Sequence, residues 1–306
     1  MVRIGIIGCS GHADWHFHSL KKLNTVIEIV RFHPSSDVAE TNAFSDILQS
    51  DAIIISSPTP THSHYISELL KNYYRGYVYL EKPGFSSQRE AELLLEYYDN
   101  NPRICIGYHL PYTSAFGDIV RMIRNVGGDL ISISLSAFTG LAYRKDFGQT
   151  WRAESSNTVA ITGMTHFLSV VKALGLSELP DIFVRKSEKS GYYDTCFAIG
   201  VIDGVSVSAT YSWGGPYEYS CRIALSDALI VLEDSRVCVR APRDVFNSSG
   251  LFKRPPIRGM KIHEDFSPTL LQHDFVSHVV NKRDVSKQAF RDAVDIGLAC
   301  LNIKII

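Results

Sequence analysis

Two short stretches of this chain hold residue types that could do chemistry. The first is Gly8-Cys9-Ser10-Gly11-His12-Ala13, lying between an apolar run and a helix-like segment. A turn of this make-up lets a backbone approach a pyrophosphate closely, while the helix N-terminus offers N–H groups and positive dipole. Gly8 meets the need for a tight turn and Ala13 the need for a small packing residue. Ser10 replaces the middle glycine of G-x-G-x-x-G/A, and Gly11 comes one position late. The second stretch is Glu81-Lys82-Pro83, directly after the apolar run Tyr77–Leu80. Pro83 restricts the backbone of Lys82 to extended conformations, which gives the side chain a defined direction. Beside a nicotinamide, such a lysine can give or take the proton of a reacting hydroxyl. An isolated Lys-Pro reads as a solvated lysine, so the weight of Lys82 rests on its surroundings.

Those surroundings read as alternating strands and helices. Val2–Ile7, Ile27–Phe32, Ala52–Ser56, Tyr77–Leu80 and Ile104–Gly107 are short apolar runs suited to buried strands. Helical segments are expected at His12–Leu23, His64–Tyr74 and Ser87–Tyr98. The pattern specifies a doubly wound parallel sheet of Rossmann type, with Lys82 at the carboxyl end of a strand, where such sheets bind ligands. After Tyr112 and a helix at Phe116–Asn125 the character changes. Strand-like runs follow at Leu130–Phe138, Asp181–Lys186, Cys196–Ile202, Val205–Trp213, Tyr219–Leu225 and Ala228–Leu232, and Asp203-Gly204 is a two-residue hairpin signal. A helix at Thr158–Leu174 interrupts them, Arg240–Pro268 reads as an irregular excursion, and helix returns from about Leu270. The expected architecture is α/β: a Rossmann domain over residues 1–112 and an α+β domain with a mainly antiparallel sheet over 113–306.

Composition narrows the classes. The chain has 306 residues, 45% hydrophobic and 21% charged, with 31 Lys+Arg against 32 Asp+Glu. That balance argues against broad nucleic-acid binding, which needs a basic surface. The opening MVRIGIIGCSG is not a signal peptide, and the apolar runs are too short to span a membrane, so a cytoplasmic protein is expected. Six cysteines show no CxxC pair and read as reduced, mostly buried thiols. His12 and His16 stand at i, i+4, but spacing offers no third zinc ligand, so no metal site is expected.

The second strand ends Arg31-Phe32-His33-Pro34-Ser35-Ser36, with no acid until Asp37. NAD sites usually end this strand with a carboxylate on the ribose hydroxyls. His33, Ser35 and Ser36, with Arg31, could instead receive a 2′-phosphate, so the reading is NADP or NAD with a lean to NADP.

Ser56-Ser57-Pro58-Thr59-Pro60-Thr61-His62 follows the third strand. The glycine turn, this Pro-x-x-Thr-His segment and Glu-Lys-Pro, in this order, resemble the glucose–fructose oxidoreductase / inositol dehydrogenase / MocA family. Gly107-Tyr108-His109-Leu110-Pro111, Trp151-Arg152 and a helix bearing His166 extend the likeness. The resemblance implies a nicotinamide-dependent oxidoreductase of sugars, sugar nucleotides or cyclic polyols, assembling as a homodimer or homotetramer. It implies that Gly8, Ser10, Gly11, His12, Ala13, His33, Ser35, Ser36, Ser57, Pro58, Thr61, His62 and Glu81 border the cofactor. It makes Lys82 the acid/base residue with His166, and gives the substrate His109, Trp151 and Arg152 as well.

Departures from the family pattern are specific. Thr162 stands where an acid four residues before the histidine is typical, so it can orient a substrate but not act as a base. A glycine expected two residues before the histidine comes one earlier, as Gly163, and His109 replaces a common arginine. Two other readings therefore stand beside the oxidoreductase: a cofactor-binding sensor or scaffold without turnover, and a redox-assisted elimination or hydrolysis at a sugar.

Overall fold

The computed structural model describes residues 1–23, 27–35, 37–153, 155–233, 236–240, 257–262 and 269–306. The chain divides into two compact units, Met1–His109 with Ser267–Leu301, and Leu110–Phe266 with Asn302–Ile306.

The first unit opens with strands β1 (Val2–Ile7), β2 (Ile27–Phe32), β3 (Ala52–Ile55), β4 (Tyr77–Leu80) and β5 (Ile104–Ile106). All pair in parallel in the order β2-β1-β3-β4-β5. The continuous apolar runs of β3 and β4 follow from burial on both faces: Ile53, Ile54, Ile55, Val78, Tyr79 and Leu80 have no exposed surface. Helices α1 (His12–Lys21), α2 (Phe44–Ile47), α3 (His62–Lys71) and α4 (Gln88–Asn100) make the crossovers. The α4 start is capped, with the Ser87 side chain accepting from the Glu90 N–H and the Glu90 carboxylate accepting from the Ser86 N–H. The chain leaves β1 outward to β2 and returns to β3, so the order reverses between β1 and β3. The crevice beyond their carboxyl ends is where such a sheet takes a ligand.

The second unit holds α5 (Ser114–Val126), then β6 (Leu130–Phe138), then α6 (Thr165–Ala173), which continues from a π-helical segment at Ala160–Met164. Strands β7 (Asp181–Lys186), β8 (Tyr193–Ile202), β9 (Val205–Ser212), β10 (Glu218–Leu225), β11 (Leu229–Glu233), β12 (Arg236–Arg240) and β13 (Ile257–Ile262) follow. With a short terminal strand they form a sheet of nine described strands, antiparallel except where β6 pairs β9 and the terminal strand pairs β7. Asp203 and Gly204 turn the β8–β9 hairpin with φ of 53° and 79°, the positive values that such a turn demands. The sheet is mainly antiparallel, as expected. Within the expected excursion Arg240–Pro268, however, Ile257–Ile262 pair with β12 as a strand; residues 241–256 and 263–268 lie outside the described residues.

The chain closes with α7 (Thr269–Asn281), α8 (Lys287–Leu301) and β14 (Lys304–Ile305). The expected division gave all of 113–306 to the second domain, whereas Ser267–Leu301 join the first unit. The physical reason is a shared core: Leu271, Phe275, Val276 and Val279 of α7 are buried with Ile4, Ile6, Ile54, Tyr77 and Tyr79 of the parallel sheet. Among the described residues no helix is long and apolar enough to cross a membrane.

Candidate functional site

The glycine turn is built as its chemistry requires. Gly8 has φ 124°, and a Cβ there would stand 2.9 Å from the Ser56 carbonyl oxygen and 3.1 Å from Ala13 Cβ. Gly11, at φ 57°, caps α1, and no side chain caps the helix there. A Cβ on Gly11 would meet nothing within 4 Å among the described residues. Ala13 is fully buried, and Ser10 is exposed with its carbonyl accepting from the Ala13 N–H at 3.1 Å. An uncapped ten-residue helix opening onto free space beside a bare glycine fits a pyrophosphate.

At the β2 end the sequence candidates separate. The Arg31 guanidinium lies over the Phe17 ring at 4.3 Å, contacts Asp14 and the Val38 carbonyl, and makes three bonds to Glu40 of 2.9–3.1 Å. It is committed to the protein, unlike the expectation that it joins a phosphate. His33 Nδ1 accepts from the Ser35 N–H at 3.2 Å. A neutral His33 ring with that nitrogen occupied carries its hydrogen on Nε2 and is a donor there. Ser36 lies outside the described residues.

After β3, a 3-10 turn at Thr59–Thr61 leads into α3. Thr61 Oγ1 lies 2.7 Å from Ser57 Oγ and 2.8 Å from the Pro58 carbonyl oxygen, closing the loop on itself. His62, only 1% exposed, spans from this loop to the next: Nε2 is 2.9 Å from the Ser57 carbonyl and Nδ1 is 3.0 Å from that of Pro83. Burial draws this imidazole toward its neutral form, and the pull of the two carbonyls and Glu81 toward the charged form does not overcome it.

Glu81 closes β4 and is buried, at 4% exposure. Its Oε1 is 2.8 Å from His16 Nε2, and its Oε2 accepts the Lys82 N–H at 3.0 Å and faces His12 Nδ1 at 3.5 Å. Burial alone would raise this carboxyl; the hydrogen bonds from His12 and His16 outweigh it and hold Glu81 well below the usual carboxylate range. The polar atoms of Glu81 and His62 are engaged by the protein, and the two residues frame the loop bearing Lys82. The Lys82–Pro83 peptide is cis. His109 lies near enough to feel Lys82: burial, helped by that positive charge, holds its imidazole down to about 4. Trp15 completes the wall, with ring centroids 5.6 Å from His12, 6.2 Å from His16 and 5.8 Å from His109.

The second unit carries the remaining candidates. Thr162 sits in the π-helical segment at 7% exposure, and its hydroxyl donates to the Thr158 carbonyl at 2.6 Å. Four positions on, His166 lies in the first turn of α6, and its own carbonyl accepts from Ser169 Oγ. Gly163, the displaced glycine, has a physical reason: a Cβ there would run into the Tyr211 ring. Trp151 and Arg152 stack on each other at 4.9 Å in a 3-10 turn. Burial lowers the Arg152 pKa against the attraction of Tyr211, whose ring also meets Gly163.

Sequence reasoning missed two members of the first unit's cluster. His16 was noticed only for its i, i+4 spacing to His12; the structure turns it inward to Glu81, and no group of three metal-binding side chains occurs among the described residues. Gln272 of α7, which contacts His16, gave no local signal at all.

No family model matches the chain, and no curated protein matches it in sequence. Solved structures do match in fold. UDP-N-acetylglucosamine 3-dehydrogenase from Acidithiobacillus ferrooxidans superposes with TM-score 0.75 at 16% identity, over 99% of this chain and 96% of that one. A myo-inositol dehydrogenase from Corynebacterium glutamicum gives 0.75 at 15%, over 98% and 94%. Levoglucosan dehydrogenase, in complex with NADH and levoglucosan, gives 0.77 at 13%, over 98% and 95%. This chain shares its fold with these dehydrogenases along nearly its whole length.

Proposed function

We propose that a chain with this dehydrogenase fold is itself a nicotinamide-dependent oxidoreductase, moving a hydride to or from a ring carbon of a sugar, sugar nucleotide or cyclic polyol. The observation that carries the reading is Lys82, at the carboxyl end of β4, its N–H held by the buried Glu81 carboxylate and its charge felt by His109. The cofactor, when bound, supplies the hydride chemistry. The chain's residues do the rest. The Gly8–Ala13 turn and the α1 N-terminus hold the phosphates, and Ser57, Pro58 and Thr61 border the nicotinamide half. Lys82 holds or takes the hydroxyl proton, with His166 as the second proton carrier and His109, Trp151, Arg152 and Thr162 as binding groups. His33, presenting Nε2–H, and Ser35 support the lean to NADP over NAD. Titrating both reduced cofactors by fluorescence tests that lean, and a clear preference for NADH would end it.

The reading extends to assembly as a homodimer or homotetramer. Ile199 and Val201 of β8 are 60% and 73% exposed and share one sheet face with Ser206 and Ser208 of β9 and Ser134 of β6. That face of small and apolar side chains is the proposed contact between copies. Sedimentation should return a multiple of the chain mass and Val201→Lys should return the single chain; a monomeric wild type would remove this part.

The deciding experiment is Lys82→Met. Turnover on a panel of sugars, sugar nucleotides and polyols should fall at least a thousandfold while cofactor affinity stays within a few fold; wild-type rates in the variant would refute the role. The second reading, a cofactor-binding sensor or scaffold, is favoured by one observation: the position of the expected acid holds Thr162, whose hydroxyl is bonded to its own helix. Tight cofactor binding with no turnover across the panel would select it.

A further inference from the structure

His16 has no exposed surface, and neither does Gln272. They are 256 positions apart, on α1 and α7, yet the Gln272 side-chain nitrogen meets His16 Nδ1 directly. On the other side of the ring, Nε2 is 2.8 Å from Glu81 Oε1. A carboxylate oxygen only accepts, and an amide nitrogen only donates. One neutral form of the imidazole satisfies both neighbours: Nε2 carries the hydrogen and donates to Glu81, while Nδ1 accepts from Gln272. The far oxygen of Glu81 then receives the Lys82 N–H.

We propose that Gln272 is a positioning residue for Lys82, acting by fixing His16 in its Nε2–H tautomer and so pinning Glu81 against the Lys82 backbone. The inference rests on the reading of Lys82 given above. Gln272 is not needed to dock its helix, since Leu271, Phe275, Val276 and Val279 already bury α7 on the sheet. In this orientation Gln272 Oε1 is buried, with no hydrogen-bond partner among the described residues. Turning the amide over would put that oxygen against Nδ1. The ring would then need hydrogens on both nitrogens, cancelling much of the charge Glu81 presents around Lys82. The arrangement as built leaves Glu81 as the acceptor for both His16 Nε2–H and the Lys82 N–H. It also ties α7 to Glu81, at the head of the lysine loop, through the buried side chains of Gln272 and His16.

The test is nitrogen-15 NMR of the histidine rings and backbone amides in the full chain, for the wild type, Gln272→Met and Gln272→Glu, with thermal unfolding as the folding check. The wild type should show His16 as the neutral Nε2–H tautomer. Gln272→Met, of similar size but with no donor, should mix the tautomers and move the Lys82 amide resonance, and kcat should fall about tenfold with cofactor affinity within twofold. Gln272→Glu should convert the ring to the doubly protonated form. A doubly protonated or Nδ1–H ring in the wild type overturns the proposal, and so does an unmoved Lys82 amide in a folded Met variant. Should the wild type turn over no substrate while the NMR results hold, the Lys82 reading fails and the positioning array stands.

Discussion

The α-carbon of Gly8 faces the carbonyl oxygen of Ser56 so closely that a Cβ would sit 2.9 Å from it, at a φ of 124° that side-chain-bearing residues rarely adopt. Steric overlap and backbone strain therefore act together at the head of the crevice. Gly8→Ala should cost about 2–4 kcal/mol of stability and weaken nucleotide binding by more than tenfold. Chemical denaturation and cofactor titration measure the two separately. An alanine variant of unchanged stability and affinity would mean that the turn does not hold this shape.

His62 ties two loops that sequence separates by more than twenty residues, through the carbonyls of Ser57 and Pro83. A neutral imidazole has one N–H and donates to one of these carbonyls at a time; in His62→Phe, of similar shape but with no donor, neither carbonyl is served. Stability should fall by roughly 1–3 kcal/mol, the cost of a buried acceptor left without a donor. Hydrogen exchange should rise in the Ser57–Thr61 and Pro83–Ser86 segments together. Faster exchange in only one of them would show that the ring does not couple the loops.

His109 sets a pH dependence whose sign follows from its lowered pKa of about 4. The unfolded chain takes up this proton near the ordinary value of about 6.5, whereas the folded chain resists it down to about 4. Between those limits the unfolded state binds more protons, so stability is full above the upper limit and is lost as pH falls through the window. The loss from this group is about 3 kcal/mol at most, at 1.36 kcal/mol for each pKa unit. Denaturation measured from pH 4 to 7 should show a steeper acid slope for the wild type than for His109→Gln. Equal slopes would remove the buried neutral imidazole from the account.

Much of the fold was legible because its signals are local. Ile4–Ile7 carries no polar side chain since that part of β1 is buried on both faces, and Asp203-Gly204 turns a hairpin since both residues accept positive φ. Lys82 at the carboxyl end of β4 could be placed from strand–helix alternation alone. The helix at Thr158–Leu174 was recognisable from its apolar character, but not its π-helical opening at Ala160–Met164, which leaves no mark in the periodicity. Gly163 looked like a misplaced family glycine until Tyr211 was seen lying against it.

The sequence by itself determined which segments become strands, where the glycine turn Gly8–Ala13 falls and which lysine stands at the strand end. Pattern and turn chemistry act over a few residues and need no partner. Tertiary structure alone decided how the charged groups are used. Arg31 goes to Glu40, Asp14 and Phe17 rather than to a ligand, and Glu81 turns inward to His16. Helix α7 returns to the first unit and brings Gln272 to a histidine 256 positions away. A buried polar group must find a partner wherever the chain can supply one, and no property of Gln272 or His16 alone names the other. The pairing exists only once the apolar face of α7 has settled on the sheet.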